Sequence, residues 1–192
     1  LPGDLIARMG PSGAGKTTLL LALNGYLPPT GGQVRINGED LYAIYDALRG
    51  SIGYVPQDDI VHPELTVYEA VRYSAKFRLP SDYSEEEINR RVQTTLAQLG
   101  LESVSHLQIG KPEKKILSGG QRKRVNIAME LVTDPIIMFM DEPTSALNAP
   151  EVEKLFALIR SLKERGCGIV YISHKMEEIE RVADNLIILE RG

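Results

Sequence analysis

The sequence predicts an α/β fold with a mainly parallel sheet, a small antiparallel excursion and a helical insertion, and three observations predict it. Short apolar runs at 5–9, 51–55, 136–140, 168–172 and 186–189 alternate with helical patterns near both ends of the chain, the order that builds βαβ units. The run Ile136-Ile137-Met138-Phe139-Met140 is apolar throughout, as a central strand covered on both faces must be. Between them the periodicity turns helical and stays so to about Thr133. The 192 residues suit one domain, 43% hydrophobic and so able to bury a core. Its expected division is a core of 1–58 and 134–192 and a helical subdomain of about 59–133.

Taken in order, the first strand, Leu5-Ile6-Ala7-Arg8-Met9, runs directly into Gly10-Pro11-Ser12-Gly13-Ala14-Gly15-Lys16-Thr17. This matches G-x-x-x-x-G-K-[ST], the P-loop pattern, so the expected fold is that of a P-loop NTPase. The glycines let successive N–H groups curl around one anion site. Lys16 reaches the β/γ-phosphates, Thr17 offers a hydroxyl to Mg²⁺, and Thr18 opens a helix whose positive end faces the phosphates. Asn24-Gly25 stops that helix. Pro28-Pro29-Thr30-Gly31-Gly32 is a loop, and Asn37-Gly38 after Gln33-Val34-Arg35-Ile36 signals a tight hairpin. Strand Ser51–Val55 ends at Pro56, which leaves Gln57 at its tip.

The helical stretch carries three capping-box patterns. Thr66-x-x-Glu69 opens a helix through Val67, Ala70, Val71 and Phe77. Ser84-x-x-Glu87 opens another with Ile88, Val92, Leu96 and Leu99 on one face and Gly100 as its stop. Ser118-x-x-Gln121 opens a third with Gly119 and Gly120 in the first turn. Each glycine there gives up about 1 kcal/mol of helix propensity, which points to a close approach of the backbone to a ligand. The apolar strand ending at Met140 then delivers Asp141-Glu142 at the sheet edge where ligands of open α/β folds bind. A helix from Pro150 to about Arg165 turns Val152, Leu155, Phe156, Ile159 and Leu162 inward. Strand Gly168–Ile172 delivers Ser173-His174, and a short helix with Met176, Ile179 and Val182 leads to strand Leu186–Leu189.

Composition limits the partners. With 22 basic and 26 acidic side chains the net charge is −4, so no cationic field exists to hold nucleic acid, and protein partners are expected. Arg122, Lys123 and Arg124 read as a solvated basic turn. Cys167 is the single cysteine, which excludes an internal disulfide and a cysteine-based metal site, fits a reducing compartment and reads as core. No apolar run approaches the roughly 18 residues of a membrane span, so a soluble domain is expected.

The P-loop, Gln57, Leu117-Ser118-Gly119-Gly120-Gln121, the strand ending in Asp141-Glu142-Pro143, and His174 follow one another in an order and spacing that resembles the nucleotide-binding domain of ABC-type ATPases. Tyr54-Val55-Pro56-Gln57-Asp58-Asp59 and Ser118–Arg124 are similar to the G-subfamily of exporters. Ile172-Ser173-His174-Lys175-Met176-Glu177-Glu178-Ile179 is more similar to bacterial sugar importers. The resemblance implies ATP and Mg²⁺ as ligands. Gly10, Pro11, Ser12, Gly13, Ala14, Gly15, Lys16, Thr17 and Thr18 would bind ATP, with Gln57 beside them. Thr17, Gln57 and Asp141 would hold Mg²⁺, Asp141 through water. Glu142 would orient or deprotonate the attacking water, and Lys16 and His174 would contact the phosphates as further catalytic groups. Ser118, Gly119, Gly120 and Gln121 would face ATP held by a second protomer.

The implied function is ATP hydrolysis by a head-to-tail homodimer or heterodimer of such domains, powering transport. The implied partners are a second ATP-binding domain and a membrane-spanning domain docked on the helical insertion, with a cytoplasmic location at the inner face of a membrane. Two rivals differ in class. A non-transport soluble ABC ATPase would show a coiled-coil insertion, zinc ligands or a basic face, and none is visible. A nucleotide-switched binding module with little turnover would not need Glu142. Two departures stand out. Family members usually carry an adenine-stacking aromatic upstream of the P-loop, but only nine residues precede Gly10, so ATP and GTP are expected to bind alike. Aspartate is usual where Asn148 stands in Ser145-Ala146-Leu147-Asn148, a loop that resembles the family's dimer-contacting loop. Asparagine keeps the hydrogen-bonding shape without the charge.

Overall fold

The computed structural model describes residues 3–11, 13–111 and 116–190. Its main sheet has five parallel strands, β1 (Leu5–Met9), β4 (Ile52–Val55), β5 (Ile137–Asp141), β6 (Gly168–Ile172) and β7 (Asn185–Ile188), in the spatial order β4-β5-β6-β1-β7. The antiparallel excursion is a hairpin of β2 (Arg35–Ile36) and β3 (Glu39–Asp40). Asn37 and Gly38 between them have φ of 53° and 88°, the pair of positive values that a two-residue turn of this kind requires.

Helices cover both faces of the sheet. On one, Leu5 and Ala7 of β1, Val55 of β4, Met138 and Met140 of β5, and Ile169 and Tyr171 of β6 share a core with α6 (Ala149–Glu164) and α7 (Met176–Val182). The same core takes in α3 (Val67–Arg78), α4 (Glu85–Gln98) and α5 (Gly119–Leu131). On the other, Ile52, Phe139, Val170 and Ile172 pack on Leu20 of α1 (Lys16–Leu23) and Leu41 of α2 (Leu41–Leu48). Odd residues of β6 thus face one core and even residues the other, the period of two that places both within five residues.

All three capping boxes form, Thr66 with Glu69, Ser84 with Glu87 and Ser118 with Gln121. Ile88, Val92, Leu96 and Leu99 are buried together, and Gly100 follows at φ 61°. Phe77 departs from the expected pattern. It is 85% exposed, because it lies at the margin of the stripe that Val67, Ala70, Val71 and Ala75 form, and there it opens on a groove. Cys167 is core as expected, and burial pushes its thiol up to about 11. Among the described residues, no helix is long and apolar enough to cross a membrane.

Candidate active site

Because β4, β5, β6 and β1 are parallel neighbours, their C-terminal ends meet at one edge, and each delivers one segment of the site. Beyond β1 the chain turns through Gly13 and Gly15, at φ 79° and 80°, a conformation that a Cβ would strain. The loop closes around its own lysine. Lys16 Nζ donates to the carbonyls of Gly10 at 2.9 Å and Pro11 at 3.1 Å. Lys16 and Thr17 open α1, so its unpaired N–H groups point into the loop as an anion site.

Thr17 Oγ1 donates to Asp141 Oδ2 at 2.9 Å. Asp141 closes β5 and is buried; that burial pushes its carboxyl above the ordinary aspartate range, against the hydrogen bond from Thr17. Glu142 then leaves the strand at φ 44°, uncommon for a residue with a side chain, with its N–H donating to Ile172 O at 3.0 Å. That turn carries its Oε1 to 3.2 Å from Nδ1 of His174, beyond the end of β6. Gly10, Gly13, Gly15, Lys16, Thr17, Thr18, Gln57, Asp141, Glu142 and His174 line one cavity of about 500 Å³. Pro11 and Ala14 belong to the same loop, and Ser12 lies outside the described residues.

Thr17 and Asp141 bring a hydroxyl and a carboxylate together, and Gln57 shares their cavity. Among the described residues no cluster of three or more His, Cys, Asp or Glu exists that would cage a metal by itself. A sparse set of hard oxygen donors beside a phosphate loop suits Mg²⁺, which keeps several waters and takes phosphate oxygens as ligands.

Ser118, Gly119, Gly120 and Gln121 are not part of this cavity. Ser118 caps α5: its Oγ accepts from Gln121 N at 3.0 Å, and Gln121 Oε1 accepts from Ser118 N at 2.8 Å. Ser118 and Gly119 are exposed, and Gly119 has ordinary space around it. Gly120 has a cause inside the chain. It is buried, and a Cβ there would overlap the Glu151 carboxylate, which also takes the N–H of Asn148. The close approach expected at the two first-turn glycines thus has an intramolecular cause at Gly120.

The solvated basic turn at 122–124 is corrected by the structure. Arg122 donates to Ile109 O, Lys123 to Pro56 O and Gln57 O, and Arg124 to Leu99 O and Glu151. Lys123 is fully buried. The helix is packed on several sides, so long stems carry each charge through apolar surroundings to carbonyls that loops leave unpaired.

Glu178 escaped the sequence reading. Nearly buried on α7, it accepts from Thr144 Oγ1 at 2.7 Å, Tyr171 OH at 2.9 Å, Ser173 Oγ at 3.1 Å and Lys175 Nζ at 2.9 Å. It thereby ties the segment after Glu142 to the residue before His174. Its one signal was position, four residues beyond that histidine. A second, larger groove of about 840 Å³ runs between the ends of α1 and α2 and the helices α3 and α5, lined by Tyr26, Tyr54, Ile60, Phe77 and Arg78 among others.

A Gly-rich loop closed on its lysine, an adjoining threonine–aspartate pair and a glutamate–histidine pair at one sheet edge define a P-loop nucleotide-binding domain. Residues 1–145 match the family model described as ABC transporter, and the chain belongs to that family, as an ATPase domain that binds ATP. It is 42% identical to an ABC-type transporter of Penicillium crustosum, over 99% of this chain and 25% of that protein. It is 39% identical to an ABC transporter ATP-binding/permease protein of Mycobacterium tuberculosis, over 100% of this chain and 21% of that protein. With ABC transporter G family member 28 of Arabidopsis thaliana the identity is 41%, over 100% of this chain and 17% of that one. The chain thus spans a quarter or less of the length of these relatives. Among solved structures, a dimeric ATP-binding cassette in a post-hydrolysis state with ADP and phosphate matches with a TM-score of 0.87 and 31% identity, over 100% of this chain and 88% of that one.

Proposed function

We propose that this chain hydrolyses ATP as one half of a head-to-tail pair of such domains, and that the pair drives transport through a membrane-spanning partner. One observation carries the reading: Lys16, Thr17, Gln57, Asp141, Glu142 and His174 line one cavity, while Ser118 and Gly119 stand exposed outside it. The P-loop amides and Lys16 bind the phosphates. Thr17, Asp141 and Gln57 would hold Mg²⁺, which when bound offsets the charge on the phosphate oxygens. Glu142 takes or orients the proton of the attacking water, and His174, 3.2 Å from it, fixes that carboxylate and donates toward the γ-phosphate. Ser118, Gly119, Gly120 and Gln121 present a helix N-terminus to the γ-phosphate of the second protomer's ATP.

In this reading 1–58 and 134–192 form the catalytic core, and about 59–133 form a helical subdomain. The 840 Å³ groove between them, with Tyr26 70% exposed and Phe77 85% exposed, is the surface on which the membrane-spanning partner docks. The location is the cytoplasmic face of a membrane, reached through that partner. The net charge of −4 favours protein over nucleic-acid partners.

Three variants test the composite site. Glu142→Gln keeps size and hydrogen bonding, so turnover falls by roughly two to four decades while ATP binding survives and the protein accumulates as an ATP-bound dimer. Ser118→Arg puts a desolvated charge where the partner's phosphate docks, so it binds ATP but neither dimerises nor hydrolyses it. Mixing Ser118→Arg with Lys16→Ala restores one intact site per heterodimer. A Glu142→Gln protein that stays monomeric in saturating ATP and Mg²⁺, together with a mixture that recovers no activity, rejects the head-to-tail pair.

A further inference from the structure

Residues 56–60, which carry Gln57 beyond β4, are gripped by one face of α5. Lys123 is fully buried, and its Nζ donates to Pro56 O at 3.0 Å and to Gln57 O at 2.7 Å, with Asp59 Oδ1 3.6 Å away. One turn on, Asn126 Nδ2 donates to Asp59 Oδ1 at 2.7 Å, and its Oδ1 accepts from Ile60 N at 3.2 Å. Arg122 Nε stands 3.6 Å from Asp59 Oδ2. A buried ammonium is a costly way to fill space, and methionine would occupy much the same volume without desolvating a charge. What the lysine adds is direction. It holds two successive carbonyls at set distances from the helix that Ser118 caps, and the second of those carbonyls belongs to Gln57, which lines the phosphate cavity.

We propose that Lys123 is a positioning residue for ATP hydrolysis: by holding the carbonyls of Pro56 and Gln57 against α5, it sets the Gln57 side chain in the phosphate cavity and makes its position follow that helix. Movement of α5 when Ser118 meets the partner's nucleotide then reaches Gln57 without passing through the sheet. The proposal rests on the reading of Gln57 as a contact to Mg²⁺.

The test is a double-mutant cycle in the full chain with Gln57→Ala, Lys123→Met and the pair. The measured quantities are kcat and KM for MgATP, ATP affinity in EDTA, Mn²⁺ binding beside a non-hydrolysable ATP analogue, and amide hydrogen exchange at residues 57–60. Lys123→Met is expected to lower kcat and weaken Mn²⁺ binding by about tenfold or more, as loss of a group that orients a metal contact does. Affinity for ATP in EDTA stays unchanged, exchange at 57–60 rises, and the Lys123 change adds little once Gln57 is alanine. Lys123→Gln, which keeps an uncharged NH₂ donor on a shorter stem, recovers part of the loss and carries the cycle if the methionine variant does not fold. Effects that multiply in the pair, or a lower melting temperature with Mn²⁺ binding intact, make Lys123 an ordinary core support and overturn the proposal. If Gln57→Ala alone changes nothing, the reading of Gln57 fails and the role given to Lys123 falls with it, an outcome the single variant separates from the others.

Discussion

Arg8 and Glu178 are both buried and charged, yet their surroundings differ in kind. Arg8 is 2% exposed on β1, two residues before the P-loop, beside Ile172 and Ile187 of the flanking strands. None of its side-chain nitrogens has a hydrogen-bond partner among the described residues. A guanidinium buried without a partner bears the full cost of leaving water, so Arg8→Met is expected to stabilise the fold by about 1–4 kcal/mol. The check is a higher urea midpoint at unchanged slope. Glu178 has four donors, and although burial raises its pKa, the hydrogen bonds from Lys175, Thr144, Tyr171 and Ser173 outweigh it and hold the carboxyl below the ordinary glutamate range. A group held below its unfolded value of about 4.3 stabilises the fold above that pH, and the contribution is lost as pH falls through the folded value. Melting temperatures from pH 7 to pH 3 should therefore fall less steeply in Glu178→Gln, which starts lower at pH 7. Neither residue was legible in sequence, because burial and partnership depend on strands and loops distant along the chain.

Helix ends were more legible, since a capping box is complete within four residues. Thr66, Ser84 and Ser118 each accept from the amide three residues on, as their spacing predicts. A fourth box, Asn148 with Glu151, is masked in the sequence by the resemblance of the same residues to a contact loop. Its Oδ1 accepts from Glu151 N at 3.0 Å, and Glu151 Oε2 accepts from Asn148 N at 3.1 Å. Asn148→Ala should cost about 1 kcal/mol of stability, measured by chemical denaturation. Asn148→Asp keeps the cap and restores the charge at the helix N-terminus, so stability is expected to hold while turnover or cooperativity of the pair rises. Unchanged kinetics in that variant would mean that the missing charge is irrelevant to coupling. Phe77 is illegible at the same scale, since whether an apolar residue at the margin of a stripe is buried depends on its neighbours and not on its own period.

At the scale of the whole molecule, the sheet ends in β7, whose outer edge is unpaired among the described residues and whose Leu186, Ile187 and Ile188 are exposed. An apolar edge of this kind is a template for pairing with another chain. Ile188→Lys is expected to reduce concentration-dependent self-association of this chain without lowering its melting temperature, as light scattering and thermal denaturation would report. The hairpin at Asn37-Gly38, the order of strands and helices, and the P-loop were determined by the sequence alone, because each depends on local backbone chemistry over a few residues. So was the family, whose short motifs keep their spacing along the chain. Only the tertiary structure decided that β6 lies between β5 and β1, which brings His174 beside Glu142, and that Thr17 still reaches Asp141. It also decided that the basic run at 122–124 turns inward and that Gly120 makes room for Glu151. Strand order, burial of a charge and clearance at a Cβ are set by contacts between residues far apart in the chain, and a local pattern carries no information about which distant surface will meet it.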